Sequence, residues 1–365
     1  KTADHSVSNN QITEGVIWKQ LLIFFFPILF GTFFQQLYNT VDAIIVGRFV
    51  GKQALAAVGG PTGTVINLLI GFFVGLSSGA TVIISQYYGA NREEMVGYAV
   101  HTAITASVIS GAVLMVIGFV GAPFVLNAMG TPEDIVGFAT LYMRIYFLGT
   151  IANLIYNIGS GILRAVGDSK RPLYFLIASC FANIILDIVF VVYFHMGIAG
   201  AALATIISQC VSAFLVIWVL VRTSDMYQLH FSKLGLDMRM LKRIVRIGLP
   251  SGLQSAMYTT SNIIIQSSVN SLGTDTVAAW ATYGKIDVIF ISAFSISVTT
   301  FVGQNYGAGK MDRVRKGIRV CLGMSFVTTL FLSLFLYNFG QYIFQIFTTD
   351  PAVLTIGMDV LHYLV

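Results

Sequence analysis

Charge is what this chain lacks most. Asp, Glu, Lys and Arg together make up 10% of its 365 residues, where a soluble domain carries about 25%. So thin a supply cannot clothe the surface of a water-soluble protein of this length. Cysteine is almost missing as well: Cys180, Cys210 and Cys321 show no pairing pattern and no ligand spacing, which excludes a disulfide scaffold and a zinc module. The five histidines, His5, His101, His195, His230 and His362, have no metal-binding spacing either. Catalytic constellations are equally absent. Gly75-Leu76-Ser77-Ser78-Gly79 has the letters of a nucleophile elbow, but it sits inside a long apolar run without a strand–turn–helix context. Small residues for close helix packing explain it better. Gly159-Ser160-Gly161 runs on to Arg164 where a dinucleotide loop needs glycine. No enzyme and no cofactor are expected.

What the chain has instead is apolar residues, 56% of the total, with a mean hydropathy of +0.80. Apolar stretches recur that are long enough to cross a ~30 Å hydrocarbon layer as helices. They are expected near 17–47, 54–86, 95–121, 134–163, 172–195, 198–222, 244–272, 276–304, 314–346 and from 352 onward. The fold class is therefore an all-α polytopic membrane protein.

The sparse charges are sorted. With the N-terminus on the cytoplasmic side, seventeen Lys and Arg residues fall in inner segments and only Arg48 and Lys52 in outer loops. This is a strong positive-inside bias. It predicts a multi-pass protein of the cell (inner or plasma) membrane with a cytoplasmic N-terminus. The net charge of +5 is thus a topology signal. Basic residues spread over alternate loops do not make a nucleic-acid patch; the lipid bilayer is the expected partner, and a monomer the expected state.

The sequence also repeats. Pro27 and Asn39 return as Pro250 and Asn262, FVGKQALAA around Gly51 as SLGTDTVAA around Gly273, and SQYYGA from Ser85 as GQNYGA from Gly303, at offsets of 223, 222 and 218 residues. Such a long internal repeat marks a secondary transporter built from two related bundles. Six spans separate the copies, so they share an orientation and relate by a two-fold axis along the membrane normal. The expected organisation is a cytoplasmic tail 1–15, a six-helix bundle 16–222, a cytoplasmic linker 223–243 and a second bundle 244–365. The linker's LKRIVRIG would lie on the inner membrane surface as an amphipathic segment, or be solvated. The second copy lacks counterparts to about 146–222, so two further helices, roughly 440 residues and twelve spans in all, are expected of a complete pair.

Carboxylates inside such helices are expensive, at least about 2.5 kcal/mol each, and need a partner, a cavity or a proton. Asp42 lies deep in the first helix and Asp187 in the middle of SCFANIILDIVFVVY, with Asn183 one turn earlier on the same face. Two carboxylates with amide and hydroxyl oxygens suit Na⁺, and carboxylates neutralised by burial suit H⁺. The second copy has Ile265 in place of Asp42, so coupling chemistry is expected in the first bundle. Arg144, Lys285 and Asp287 are further charges within spans. Lys285 and Asp287, two residues apart, do not face each other; either could line a cavity.

The repeated QYYGA/QNYGA elements, the Pro–Gln–Asn–Asp series of the first helix and GILRAVGDSKRP from Gly161 together resemble the multidrug and toxic compound extrusion (MATE) family of the wider flippase superfamily. The resemblance covers the chain after about residue 15. Asp42, Asn183 and Asp187 are similar to the signature of its DNA-damage-inducible-protein-F-like branch. The norfloxacin-exporter branch has a Glu where this chain has Tyr258. The resemblance implies an antiporter that exports cationic or amphipathic organic compounds against inward Na⁺ or H⁺. It implies Asn157 and Thr205 as further members of the ion site. Gln35, Gln36, Asn39, Tyr258, Lys285 and Asp287 are candidates for contact with the small-molecule substrate. A flippase for a lipid-linked oligosaccharide is the alternative; it would need a cationic cavity, for which Lys285 and Arg144 are the candidates.

Overall fold

The computed structural model describes residues 11–270, 276, 293–347 and 351–364. All regular structure among them is helical. A helical turn Gln11–Thr13 leads into α1 (Ile17–Phe49), then α2 (Lys52–Ala57), α3 (Gly63–Gly89), α4 (Glu93–Ala128), α5 (Glu133–Leu148), α6 (Thr150–Val166), α7 (Lys170–Asp187) and α8 (Gly197–Arg222). The C-terminal part continues with α9 (Met238–Asn270), α10 (293–307), α11 (Met311–Phe347) and α12 (Pro351–Leu364).

Six of these helical stretches are long and apolar enough to cross a membrane, or seven if α5 and α6 count as one span, among the described residues. Their outer faces carry bare side chains such as Val120, Phe124, Phe326 and Phe331, a surface that only lipid tails can cover without penalty. Against the ten expected spans, α9 falls short because its middle, SAMYTTSN, is polar, and α12 because it has only 14 residues. The expected span 276–304 lies mostly outside the described residues.

The expected single helix over 134–163 is two helices, bent by 51° at Gly149. The physical cause is α8. A Cβ on Gly149 would stand 2.8 Å from Cγ1 of Ile206 and 3.3 Å from Oε1 of Gln209, so the chain approaches α8 at its one side-chain-free point. Thr150 Oγ1 donates to the Phe147 carbonyl at 2.7 Å, satisfying an acceptor freed by the bend. Gly149→Ala should therefore overpack the junction, costing about 1–3 kcal/mol, whereas Gly97→Ala, whose Cβ meets nothing within 4 Å, should be silent. Thermal unfolding of the purified variants in detergent checks this; equal midpoints for the two would refute the overpacking.

Small residues join the two halves. Gly75 and Gly79 of α3 press on α9: a Cβ on Gly75 would lie 2.7 Å from the Ser251 carbonyl oxygen, and one on Gly79 2.7 Å from the Gly248 nitrogen. The Gly-x-Ser-x-Gly run is thus a packing device, as its apolar context implied. LKRIVRIG proves to be the first turns of α9 rather than a separate surface segment, with Met240 and Ile244 buried among Ile83, Val100 and Leu220. On the other side, Leu21, Phe24, Phe25 and Ile28 of α1 pack on Phe294 and Phe301 of α10. So α1 meets α10 while α9 meets α3, as a two-fold relation between the copies requires.

The repeated motifs meet each other. At the C-terminal end of α3, Gly89 abuts the Gln304 carbonyl of α10, and Gly307 abuts the Gln86 carbonyl in return. Gln304 also donates to the Ala165 carbonyl at 2.6 Å, and Asn305 to that of Ile12 at 3.3 Å. Beside this crossing, Arg313 donates to the carbonyls of Glu14 and Gly15, both at 2.7 Å, and Lys310 to that of Thr13 at 2.9 Å. This is the basic end of the molecule, and here the two halves are in direct contact.

Candidate functional site

Asp42, Asn183 and Asp187 are all buried, with 6%, 1% and 0% of their surfaces exposed. Asp42 comes from α1; Asn183 and Asp187 come from α7, one turn apart on the same face, and α7 packs against both α1 and α8. The two carboxylates lie close enough to interact electrostatically. Asp187 is the last residue of regular α-helix, and a wider π-helical turn, Ile188–Tyr193, follows it. Such turns insert one extra residue and re-aim the side chains at their edge.

The cluster's hydrogen bonding is left open. Oδ1 of Asp42, both carboxylate oxygens of Asp187, and both Oδ1 and Nδ2 of Asn183 are buried without a hydrogen-bond partner in the protein. Native interiors seldom tolerate this, because each unpaired buried polar group costs about 1–3 kcal/mol, and more if charged. Four of these atoms are oxygens, and the arrangement can take up a proton or a small hard cation. No group of three or more His, Cys, Asp or Glu side chains with metal-binding geometry occurs among the described residues. Any cation here would rest on two carboxylates and neutral oxygens.

Thr205 of α8 is also buried, and its hydroxyl donates to the Ala201 carbonyl at 3.0 Å. Asn157 turns its amide onto its own helix, to the Asn153 carbonyl at 2.9 Å and side-chain oxygen at 3.0 Å. Among the substrate-contact candidates, Asn39 bonds Gln36 at 3.3 Å on α1, Gln35 and Asn39 are exposed, and Tyr258 of α9 is 62% exposed. Lys285 and Asp287 lie outside the described residues. Arg144 is engaged with α4: its Nε donates to the Phe119 carbonyl at 3.2 Å, and its guanidinium lies over the Phe119 ring.

Three tyrosines complete the surroundings, and the sequence reading overlooked them. Tyr38 and Tyr142 are electrostatic neighbours of Asp42, and the Tyr146 hydroxyl accepts from Gln209 Nε2 at 3.5 Å. Spacing held the clue: Tyr38 precedes Asp42 by one turn, and Tyr142 precedes Tyr146 by one turn. Nothing in the letters distinguished them from ordinary packing aromatics.

Comparison with known proteins agrees with this architecture. The MatE family model matches residues 27–189 and again 250–365. A probable multidrug resistance protein of Bacillus subtilis, YoeA, is 31% identical over 98% of this chain and 79% of its own length. A second from that organism, YpnP, is 30% identical over 96% of this chain and 79% of its own. Among solved structures, an outward-facing multidrug resistance MATE family transporter superposes with a TM-score of 0.89 at 25% identity, covering all of this chain and 81% of that one. A transporter from Pyrococcus furiosus, described as having a binding pocket of reversed polarity, gives 0.87 at 25% identity, covering 99% of this chain and 80% of that one. With the family model matched twice along its repeat, the chain belongs to the MatE family of membrane transporters.

Proposed function

We propose that this protein exports organic compounds, cationic or amphipathic, in exchange for Na⁺ or H⁺ moving inward. Asp42, Asn183 and Asp187 bind the coupling ion, with Thr205 beside them and Asn157 as an outer member. The observation that carries the reading is the set of four unpaired oxygens buried at one place in an apolar bundle. A fold does not keep such a cost without a ligand that relieves it. The names of the relatives, multidrug resistance proteins, support an organic substrate. Gln35, Gln36, Asn39 and Tyr258 offer it polar and aromatic contact, and residues 16–222 and the helices from α9 onward act as the two moving bundles, joined by the stretch that precedes α9.

The basic end is placed in the cytoplasm by the positive-inside bias. The contact of the two halves there, at Gly89 and Gly307, then fits an outward-facing arrangement, in which the ion site communicates with the exterior. A cation entering down a 100 mV potential supplies about 2.3 kcal/mol. If the ionised carboxylates serve ion and cationic substrate in turn, binding of one releases the other.

Inside-out vesicles containing the protein and a fluorescent cationic dye outside provide the test. An outward-directed Na⁺ or H⁺ gradient, equivalent to inward movement in the cell once polarity is reversed, should drive dye into the lumen. Dye movement indifferent to both gradients would overturn the antiport reading.

A further inference from the structure

Well away from Asp42, a cavity of about 400 Å³ opens at the basic end between the starts of α4 and α9. Arg92, Arg239 and Arg243 line it together with Tyr87 and Tyr98. All three arginines are exposed. Two carboxylates, Glu94 and Asp237, share the lining, yet neither pairs with an arginine. The ion pairs among the described residues are Arg171–Asp168 and Lys310–Glu14. Asp237 is occupied otherwise: its Oδ1 accepts from the Met240 amide at 2.8 Å, capping α9, and its own amide donates to Thr102 Oγ1 at 3.2 Å. Arg243 donates to the Tyr87 hydroxyl, which holds its guanidinium at the cavity. Arg92 precedes the first turn of α4 and Arg239 stands in the first turn of α9, so the two helix starts bring these guanidiniums to one cavity, with Glu93 and Glu94 in the first turn of α4.

Three guanidiniums without carboxylate partners, gathered at one cavity, form a receptor for a phosphate oxyanion. The depth of the cavity says which phosphate. α4 is long and apolar enough to span a bilayer, and the cavity lies at its first turn, where the charged residues Arg92, Glu93 and Glu94 give way to the apolar run. Tyr98, 48% exposed one turn into that helix, has the amphipathic ring that favours this level. We infer that this cavity is a binding site for the phosphate of an anionic phospholipid from the cytoplasmic leaflet. That leaflet is where anionic lipids and basic interhelical pockets meet. A lipid held here would bridge α4 of the first bundle to α9 of the second, at the joint across which the bundles must move. The leaflet assignment rests on the basic end being cytoplasmic; the oxyanion site does not.

The test uses the full chain purified in a neutral detergent. Phosphatidylglycerol, phosphatidylcholine and inorganic phosphate are added separately, and bound lipid is counted by native mass spectrometry alongside thermal unfolding. Phosphatidylglycerol should bind and raise the unfolding midpoint, and phosphatidylcholine should do neither. Each Arg→Ala change at Arg92, Arg239 or Arg243 should weaken phosphatidylglycerol by about fivefold. Arg243→Lys, which keeps the charge but loses the fork, should weaken it less than Arg243→Ala. Equal phosphatidylglycerol binding by the parent and a triple Arg→Ala variant that unfolds at the parent's lipid-free midpoint would overturn the site. If the triple variant does not fold, equal phosphatidylglycerol binding by the parent and the three single variants does so. Stabilisation by inorganic phosphate that equals that of phosphatidylglycerol, and is lost with the arginines, would overturn the lipid as its source.

Discussion

Asp42→Asn should abolish ion-driven dye export while leaving the protein folded and inserted. The substitution preserves the shape of the side chain and removes only its titratable charge. An amide cannot accept a proton at this place, and it cannot neutralise Na⁺ where little water remains to help. Folding should even gain slightly, because a buried carboxylate with an unpaired oxygen is exchanged for a neutral group. Asp187→Asn should behave alike, since both of its oxygens lack partners and it neighbours Asp42. Members of one site are not additive, so the double variant should be scarcely worse than either single. Export in vesicles and thermal unfolding, measured on the same preparations, separate loss of coupling from loss of fold. Asp42→Asn vesicles that concentrate dye at the parent's rate under an imposed gradient would remove the first bundle from the coupling mechanism.

The second large effect is expected at the crossing of α3 and α10. Gly89→Val or Gly307→Val should hold the basic end open and reduce export to a small fraction of the parent's. In each case the new Cβ would run into a backbone carbonyl, of Gln304 or Gln86 respectively, which has no rotamer in which to retreat. Only separation of the helices relieves the clash, and overpacking of this kind costs about 1–3 kcal/mol. That is enough to reverse a conformational balance of similar size. Ser85, fully buried at the same crossing, reports the outcome. In a background freed of Cys180, Cys210 and Cys321, Ser85→Cys should resist a water-soluble maleimide in the parent and react in either valine variant. Gly121→Ala, whose Cβ meets nothing within 4 Å, should leave both export and labelling unchanged. A Ser85→Cys thiol that stays unlabelled in the Gly89→Val background, together with normal export, would show that this contact does not gate the basic end.

Much of this molecule could be read from its letters, for physical reasons. Hydrophobic runs of spanning length have few alternatives to helix in a bilayer, so α1, α4, α7 and α8 emerged near their observed bounds. Asp42, Asn183 and Asp187 stood out because polarity at membrane depth is costly, and the structure does bury all three together. The bend at Gly149 was not legible: one glycine in an apolar run is common, and only the approach of Ile206 from a distant helix makes it matter. The π-helical turn after Asp187 was hidden too, since Ile188–Tyr193 is as apolar as any α-helical segment. The grip of Arg313 on the carbonyls of residues 12, 14 and 15 depends on atoms that every residue possesses, so no side-chain pattern could announce it.

The crossing of α3 and α10 bears on the ancestry of the chain. A duplicated segment ordinarily frees its copies to diverge, each answering to its own surroundings. Here the surroundings of SQYYGA are GQNYGA, and the converse holds, because Gly89 lies on Gln304 and Gly307 on Gln86. A bulkier residue in one copy is paid for by the other, so at this point the two halves remain a single unit of selection. The carboxylate position has no such tie: Asp42 is an electrostatic neighbour of Asp187 within its own half, and its counterpart in the second copy is Ile265. At the crossing the likeness of the two copies is held by their contact with each other.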